Sequence, residues 1–520
     1  MKKNELLALA FLEGGLVMLL ETSSPLIVAP ILGHSVVIWA TMICLSIGAL
    51  AIGYFLGGFL SKKKRDESFV IKLFSMNVLI LLAGWLMLYL QNYSGADFGT
   101  SSFTWTIVFV VLVIPLILFG ASTPLIVAIL HEKFGDNKEI VGKLYSVSTL
   151  GGVIFSLLAG YWFIPEIGIS DSILVGVILT SLLPIRYFLR HKNLKFLVPI
   201  GGIAIISIFL TQVKAELPKS SKFTELYFSE SINGQLIVAD FEKDGRDNRI
   251  LFINRMGQTW IDLENDNSMW PYVNVVTCIS KIYPQNSNSL VLGLGGGILP
   301  KQLSTFCGHS VDAVEIDQRI IDISEEYFGL KGSGVRSYMD DARRFVKNSE
   351  KRYDFVVMDI FNGEILPSHG LSKEAFEDIK STLRPKGMIV INFNGFLKGK
   401  EGLPGRSLIK TLKAAGFKLK LLDADMGKSK EKDRNMLYLA YLNEPDWTKA
   451  LPLNFGEEEF LISEQLIDPK TINTKDALLI TDDKPIMEFI NRHAAKSWRE
   501  SYLENFTLKF KEEYKLPFVK

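Results

Sequence analysis

Seven stretches of the 520-residue chain stay apolar for about the 20 residues that a bilayer core demands: 5–30, 35–60, 69–90, 103–130, 144–164, 170–189 and 194–213. Soluble proteins do not crowd such runs so closely, and the pattern predicts a multi-pass helical bundle over residues 1–213. The pattern then breaks. Residues 214–222, with Pro218 among Lys, Glu and Ser, read as a linker. Gln235–Ala239 and Arg249–Ile253 alternate as strands do, with Asp244-Gly245 between them as a turn, so a small β unit is expected over 223–285. From 286 to 520, short apolar strands (Ser289–Gly293, Val311–Asp317, Tyr353–Asp359, Gly387–Asn392) alternate with helical segments, which implies a parallel, doubly wound α/β sheet.

Ligands of such sheets lie at the carboxyl ends of the strands. There the chain carries Gly293-Leu294-Gly295-Gly296-Gly297, a bare turn that lets a ligand approach the backbone, and then Glu315, 18 residues on, at the end of the next strand. An acid at that offset suits two ribose hydroxyls, so the pair points to a nucleoside site. On this reading Glu315→Ala removes nucleoside affinity and leaves the fold intact. Asp341, followed by Ala342, stands at a loop-to-helix junction. It suits an adenine amino group and equally a helix N-cap. The three cysteines, Cys44, Cys278 and Cys307, have no zinc spacing, and no metal site is expected. With 57 basic and 56 acidic residues the chain offers no field for nucleic acid.

Charge orients the apolar half. The loop at 61–65, the loop at 131–143 and the stretch 186–195 are rich in Lys and Arg, whereas those around 31–34, 91–102 and 165–169 hold none. The basic loops and the amino terminus are therefore expected in the cytoplasm of a cell-membrane protein. Seven full spans would then leave the soluble half outside, although nucleoside cosubstrates are cytoplasmic; the chemistry favours a cytoplasmic soluble domain. Glu13 and Glu21 fall inside the first span, about 12 Å apart along a helix. Carboxylates in lipid face a partner or water, so they read as either a cation site or packing anchors. The Gly53-x-x-x-Gly57 spacing, with Gly58, reads as helix packing.

Taken together, the stretch from Val291 to Asn394 resembles the spermidine synthase-like, or polyamine aminopropyltransferase, family. The matching motifs are Gly293–Gly297, Val314-Glu-Ile-Asp317, Tyr327-Phe-Gly-Leu330, Asp341-Ala342 and Tyr353–Asp359. Gln258 sits where that family has a glutamine near the nucleoside. Thr481-Asp482-Asp483-Lys-Pro485 with Glu488, and Glu21 with the Gly53/Gly57/Gly58 cluster, are similar to the branch fused to a membrane domain. The resemblance implies a Rossmann-like, class I methyltransferase-type fold. It also implies transfer of an aminopropyl group from decarboxylated S-adenosylmethionine to a polyamine or other amine, with no tightly bound cofactor and with a homodimer compatible. It assigns Gln258, Gly293, Gly295, Gly297, Glu315, Asp341 and Ala342 to the nucleoside, Asp359 to proton removal, and Asp482, Asp483 and Glu488 to the substrate.

Two positions depart from soluble members. Ile298 replaces an aspartate that holds the aminopropyl arm, and Asn362 replaces a second aspartate beyond Asp359; Glu364 is the acid that could stand in. Three functions stay open: an aminopropyltransferase, another S-adenosylmethionine-using enzyme (a methyltransferase or lyase, with intact S-adenosylmethionine as cosubstrate), and a transporter or sensor with a nucleoside-binding regulatory domain. His369 is a candidate proton carrier, though a loop histidine with no partner in view is more often incidental, and Trp260, Trp270 and Tyr272 fit the walls of an amine pocket and a core equally well.

Overall fold

The computed structural model describes residues 1–33, 36–63, 66–93, 101–135, 138–210, 223–231, 233–360, 366–425, 434–455 and 458–502. The chain divides into two compact units. One holds the helices and the tip of the first β-hairpin, Phe228–Leu236; the other holds the rest of the soluble half.

The first unit runs through α1 (Lys3–Leu32), α2 (Val36–Leu60), α3 (Glu67–Tyr93), α4 (Ser101–Val108), α5 (Ile114–Phe134), α6 (Lys138–Leu158), α7 (Gly168–Arg190) and α8 (Leu194–Leu210). A π-helical turn, Phe109–Val113, makes α4 and α5 one rod. A longer one, Ala159–Ile167 with Pro165 inside, extends α6. Among the described residues, five helical stretches are long and apolar enough to cross a membrane. The last of them, Glu139–Arg190, spans 52 residues and contains the break at Gly168, whose φ of +82° only glycine adopts freely. Many large apolar side chains, Phe55, Tyr161, Ile205 and Phe209 among them, point outward, as a lipid-facing surface requires.

Glycines set two of the helix contacts. A Cβ at Gly53 or Gly57 of α2 would overlap the backbone carbonyls of Ile117 and Ala121 in α5, so these helices pack backbone to backbone. Gly58 faces open space and takes no part. Gly14 of α1 and Gly151 of α6 make the same approach, to the backbones of Ser148 and Phe11. Ion pairs gather the expected basic loops at one end: the amino terminus and Lys133 each lie 2.5 Å from Glu67, while Arg186 (3.4 Å) and Arg190 pair with Glu5.

After the helices come five strands, β1 (Phe223–Ser231), β2 (Gly234–Lys243), β3 (Arg246–Ile253), β4 (Met256–Asp262) and β5 (Asn267–Ser268), paired in chain order. Asp244 and Gly245 both take positive φ (54° and 76°), the geometry a two-residue hairpin needs. After α9 (Pro271–Ser280) comes the main sheet: β6 (Asn288–Leu292), β7 (Ser310–Glu315), β8 (Arg336–Met339), β9 (Tyr353–Met358), β10 (Leu383–Gly395), β11 (Lys418–Asp423) and β12 (Arg434–Tyr441). Its spatial order is β11-β12-β10-β9-β6-β7-β8, with β12 antiparallel to both neighbours and the other pairs parallel.

The connecting helices are α10 (Ile298–Thr305), α11 (Gln318–Tyr327), α12 (Ala342–Asn348), α13 (Lys373–Thr382) and α14 (Leu403–Ala414). This is the Rossmann-like, methyltransferase-type α/β fold. The strand order reverses at β6, so β6 and β9 diverge into helices on opposite faces and leave a crevice at their carboxyl ends. The central strands read as unbroken apolar runs, Leu290–Leu292 and Phe355–Met358, because helices cover both faces.

Candidate functional site

The glycine turn closes β6. Gly293, Gly295 and Gly297 have φ of +89°, +53° and +76°, so each needs the left-handed region. Gly293 has a second constraint: a Cβ there would overlap the carbonyl oxygen of Asp359. The turn and the end of β9 are thereby in backbone contact, and the Asp359 N–H donates to the Leu292 carbonyl at 2.8 Å. Thr259 seats the turn from the other side. Its hydroxyl accepts the Gly296 N–H at 2.7 Å, and a Cβ at Gly296 would press on its side chain. Gln258 precedes Thr259 on β4.

Glu315 ends β7 and is buried. Its carboxylate already accepts three backbone N–H groups: Leu294 at 3.1 Å on Oε2, and Ile316 at 2.8 Å and Asp317 at 3.0 Å on Oε1. Burial raises its pKa above the ordinary 4.5, and the three N–H groups pull the other way. A carboxylate offers about four acceptor positions, so one remains, on Oε2. The next residue, Ile316, is 63% exposed, an apolar side chain left open to solvent directly after the buried acid.

Asp341 is the N-cap of α12, accepting the Arg344 N–H at 2.9 Å, and Ala342 is the first residue of that helix. The capping role is thus present. The other carboxylate oxygen lies 3.4 Å from His369 Nε2. His369 therefore has a partner, which no spacing in the sequence discloses.

Asp359, just past β9, is half-buried and doubly held. Tyr272 O–H donates to Oδ2 at 2.8 Å, and Asn392 Nδ2 donates to Oδ1 at 3.0 Å. Burial lifts its pKa above 3.8 despite both donors. Burial, with the Asp359 charge, also pushes the Tyr272 phenol well above 10. Asn392 is itself buried on β10, and its Oδ1 finds no partner among the described residues. Tyr272, on α9, is thus brought to the candidate base, whereas Trp260 and Trp270 pack edge to face on each other. Asn392 was missed as a functional residue, since it reads as the ordinary end of a strand.

The remaining expected residues fall differently. Ile298 is buried at the start of α10, an apolar side chain with nothing to offer a polar arm. Asp482 is committed to Arg343 through a two-pronged pair at 2.6 Å and also accepts the Ser372 hydroxyl at 2.6 Å, which holds its pKa down to about 2. Arg343 follows Ala342 directly, so Asp482 braces α12 from behind. Asp483 is exposed, and the Glu488 N–H donates to Ser368 Oγ at 3.3 Å, one residue from His369. Asn362 and Glu364 lie outside the described residues.

Comparisons with known proteins follow the same outline. Residues 273–401 match the spermine/spermidine synthase domain family. A polyamine aminopropyltransferase of Vibrio vulnificus is 33% identical over 136 residues, 25% of this chain and 46% of that protein. Polyamine aminopropyltransferase 2 of Aquifex aeolicus is 23% identical over 409 residues, 74% of this chain and 78% of that protein. An alignment of that extent exceeds residues 223–520 and must enter the helical half. An N-terminal histidine N-methyltransferase of Emericella nidulans is 34% identical over 116 residues, 21% of this chain and 20% of that protein. The solved structure of a probable spermidine synthase from Corynebacterium glutamicum is 17% identical and covers 51% of this chain and 97% of its own, with a TM-score of 0.39. The chain spans less than half the length of the Vibrio relative.

Proposed function

We propose that this chain is a membrane-bound aminopropyltransferase. Its soluble half takes decarboxylated S-adenosylmethionine as donor and an amine of the polyamine class as acceptor. The observation that carries the reading is the joining of three parts in one crevice: the bare Gly293–Gly297 turn, the Glu315 carboxylate and the doubly held Asp359. The similarity to polyamine aminopropyltransferases supports it.

In this reading one ribose hydroxyl donates to the free position of Glu315, Ile316 covers one face of the base, and Asp341 receives its amino group. Asp359 accepts a proton from the attacking amine. The amine lone pair forms the new C–N bond, the C–S bond breaks toward the sulfonium sulfur, and neutral methylthioadenosine leaves. Positive charge passes from sulfur to nitrogen and then, as a proton, to Asp359. A carboxyl whose pKa is raised above 3.8 is matched to that proton better than an exposed aspartate would be. Tyr272 and Asn392 keep its oxygens aimed. Glu364 is proposed as a second acid on the acceptor amine. The soluble half is proposed to face the cytoplasm, where S-adenosyl compounds are made.

A second reading has its own support. Ile298 gives the aminopropyl arm no polar partner, and the similarity extends to an N-methyltransferase. Methyl transfer from intact S-adenosylmethionine uses the same nucleoside contacts. Purified protein with putrescine and each donor separates the two. Putrescine-dependent release of methylthioadenosine is expected. Formation of S-adenosylhomocysteine, with no methylthioadenosine, would replace the first reading by the second.

A further inference from the structure

The helical unit encloses a carboxylate that the proposed transfer chemistry does not use. Glu13 of α1 is 3% exposed. One oxygen accepts the Thr123 hydroxyl, and the other, Oε2, is buried with no hydrogen-bond partner among the described residues. A bare carboxylate in such surroundings would cost several kcal/mol or more, so Oε2 must carry a proton or a cation.

The location is also specific. Thr123 precedes Pro124 within α5, and a proline supplies no N–H to the carbonyl one turn back, Gly120. The glycine contacts weld α1 to α6 and α2 to α5, backbone against backbone. The Glu13–Thr123 bond runs from one welded pair to the other, so the carboxylate sits on the seam between two stiff bodies. Glu21, half-buried two turns further along α1, is a second carboxylate about 12 Å on.

We propose that the helical half is a cation carrier with Glu13 as its exchange site, holding a proton in one state and the ammonium group of an alkyl amine in the other. The choice of an amine rests on the aminopropyltransferase reading; the exchange site itself does not. The step balances for one ammonium group: the carboxylic acid releases one proton to water, and the carboxylate pairs with one R–NH3⁺; a diamine carries its second charge along, so each exchange of a diamine for a proton moves one net positive charge. The carboxylate and the Thr123 hydroxyl oxygen are acceptors that an ammonium group can use.

The test uses the full chain in liposomes with an acidic interior and putrescine outside as the probe. Wild-type protein is expected to take up labelled putrescine while internal protons leave, and a protonophore should abolish the uptake. Glu13→Gln should lower uptake at least tenfold, with methylthioadenosine release by the same preparation in detergent unchanged. If Glu13→Gln does not assemble, Glu13→Asp must show reduced flux with normal release. Absence of putrescine-coupled proton flux in the wild type, or flux retained in either variant, overturns the proposal. Failure of the aminopropyltransferase reading would instead appear as missing methylthioadenosine release, whatever the flux.

Discussion

Replacing Glu315 by glutamine tests the ribose contact with the least damage to the fold. Alanine, which looks suitable from the sequence, is not conservative: it would strip a partner from the N–H groups of Leu294, Ile316 and Asp317 together. At about 1–3 kcal/mol for each buried donor left unpaired, that loss would rival the whole stability of a domain. Glutamine has one carbonyl oxygen, and the best use of it is to accept the Ile316 and Asp317 N–H groups. Its amide nitrogen then faces the Leu294 N–H, so one donor is orphaned and stability should fall by about 1–3 kcal/mol. The acceptor position on Oε2 is lost as well. One charge-assisted hydrogen bond to a ribose hydroxyl contributes about 1.5–3 kcal/mol, which predicts a 10- to 150-fold weaker affinity for methylthioadenosine. Calorimetric titration with methylthioadenosine and with its 2′,3′-dideoxy analogue reads the effect. Wild-type protein should prefer the ribose compound by that factor, and Glu315→Gln should bind the two alike. If the variant still prefers the ribose, the carboxylate does not hold it, and the assignment fails.

Three further outcomes are expected. The acid limb of kcat/KM should lie above pH 3.8, because Asp359 must lose its proton to act and burial raises its pKa; Tyr272→Phe removes a donor that stabilises the anion, so the limb should move to higher pH, and an unmoved limb would separate Asp359 from proton removal. Asp482→Asn should destabilise the C-terminal domain by about 1 kcal/mol in urea titrations at pH 7, since Asp482 is 42% exposed and solvent screens its pair with Arg343. With its pKa held at about 2, that contribution is present above pH 3.8 and lost as pH falls through 2, so equal stabilities at pH 7 would refute the bracing role. A fluorescent protein fused after Lys520 should fluoresce and alkaline phosphatase fused there should be inactive, because the basic loops at 61–65, 131–143 and 186–195 set the cytoplasmic side and the proposed nucleoside cosubstrate is met there; an active phosphatase would place the C-terminal domain on the side away from the basic loops and refute that reading.

What the sequence disclosed and what it hid divide along one physical line. Properties set by neighbours in the chain were legible. The apolar runs marked the helices, Asp244-Gly245 marked a hairpin whose φ values require just such residues, and three glycines at positive φ marked the turn after β6. The Gly53/Gly57 pair was legible as packing, because only a missing side chain permits backbone contact at that spacing. Contacts that close across the fold were not legible. Tyr272 and Asp359 are 87 positions apart, and Asn392 is another 33 beyond. Nothing local to any of them says that they meet. The same holds for Thr123 and Glu13, 110 positions apart.

That division bears on how the site must work. The residues read from local pattern, the glycine turn and Glu315, are the ones fixed by backbone geometry, and in the proposed reading they serve the part of the ligand that does not change during reaction. The residues assembled from distant segments, Tyr272 and Asn392 on Asp359, bear on the proton, where a small displacement alters the pKa and aim of one carboxylate. Three elements, α9, β9 and β10, must each be in register for both donors to reach it. Asn392 has given one bond to Asp359 and holds an unused carbonyl, Oδ1, in a buried setting that would ordinarily be costly. Such a cost is tolerable where an amine donor arrives to satisfy it. An acceptor amine presenting one N–H to Asp359 and another to Asn392 Oδ1 would be oriented by both, with its lone pair directed away from them toward the sulfonium carbon.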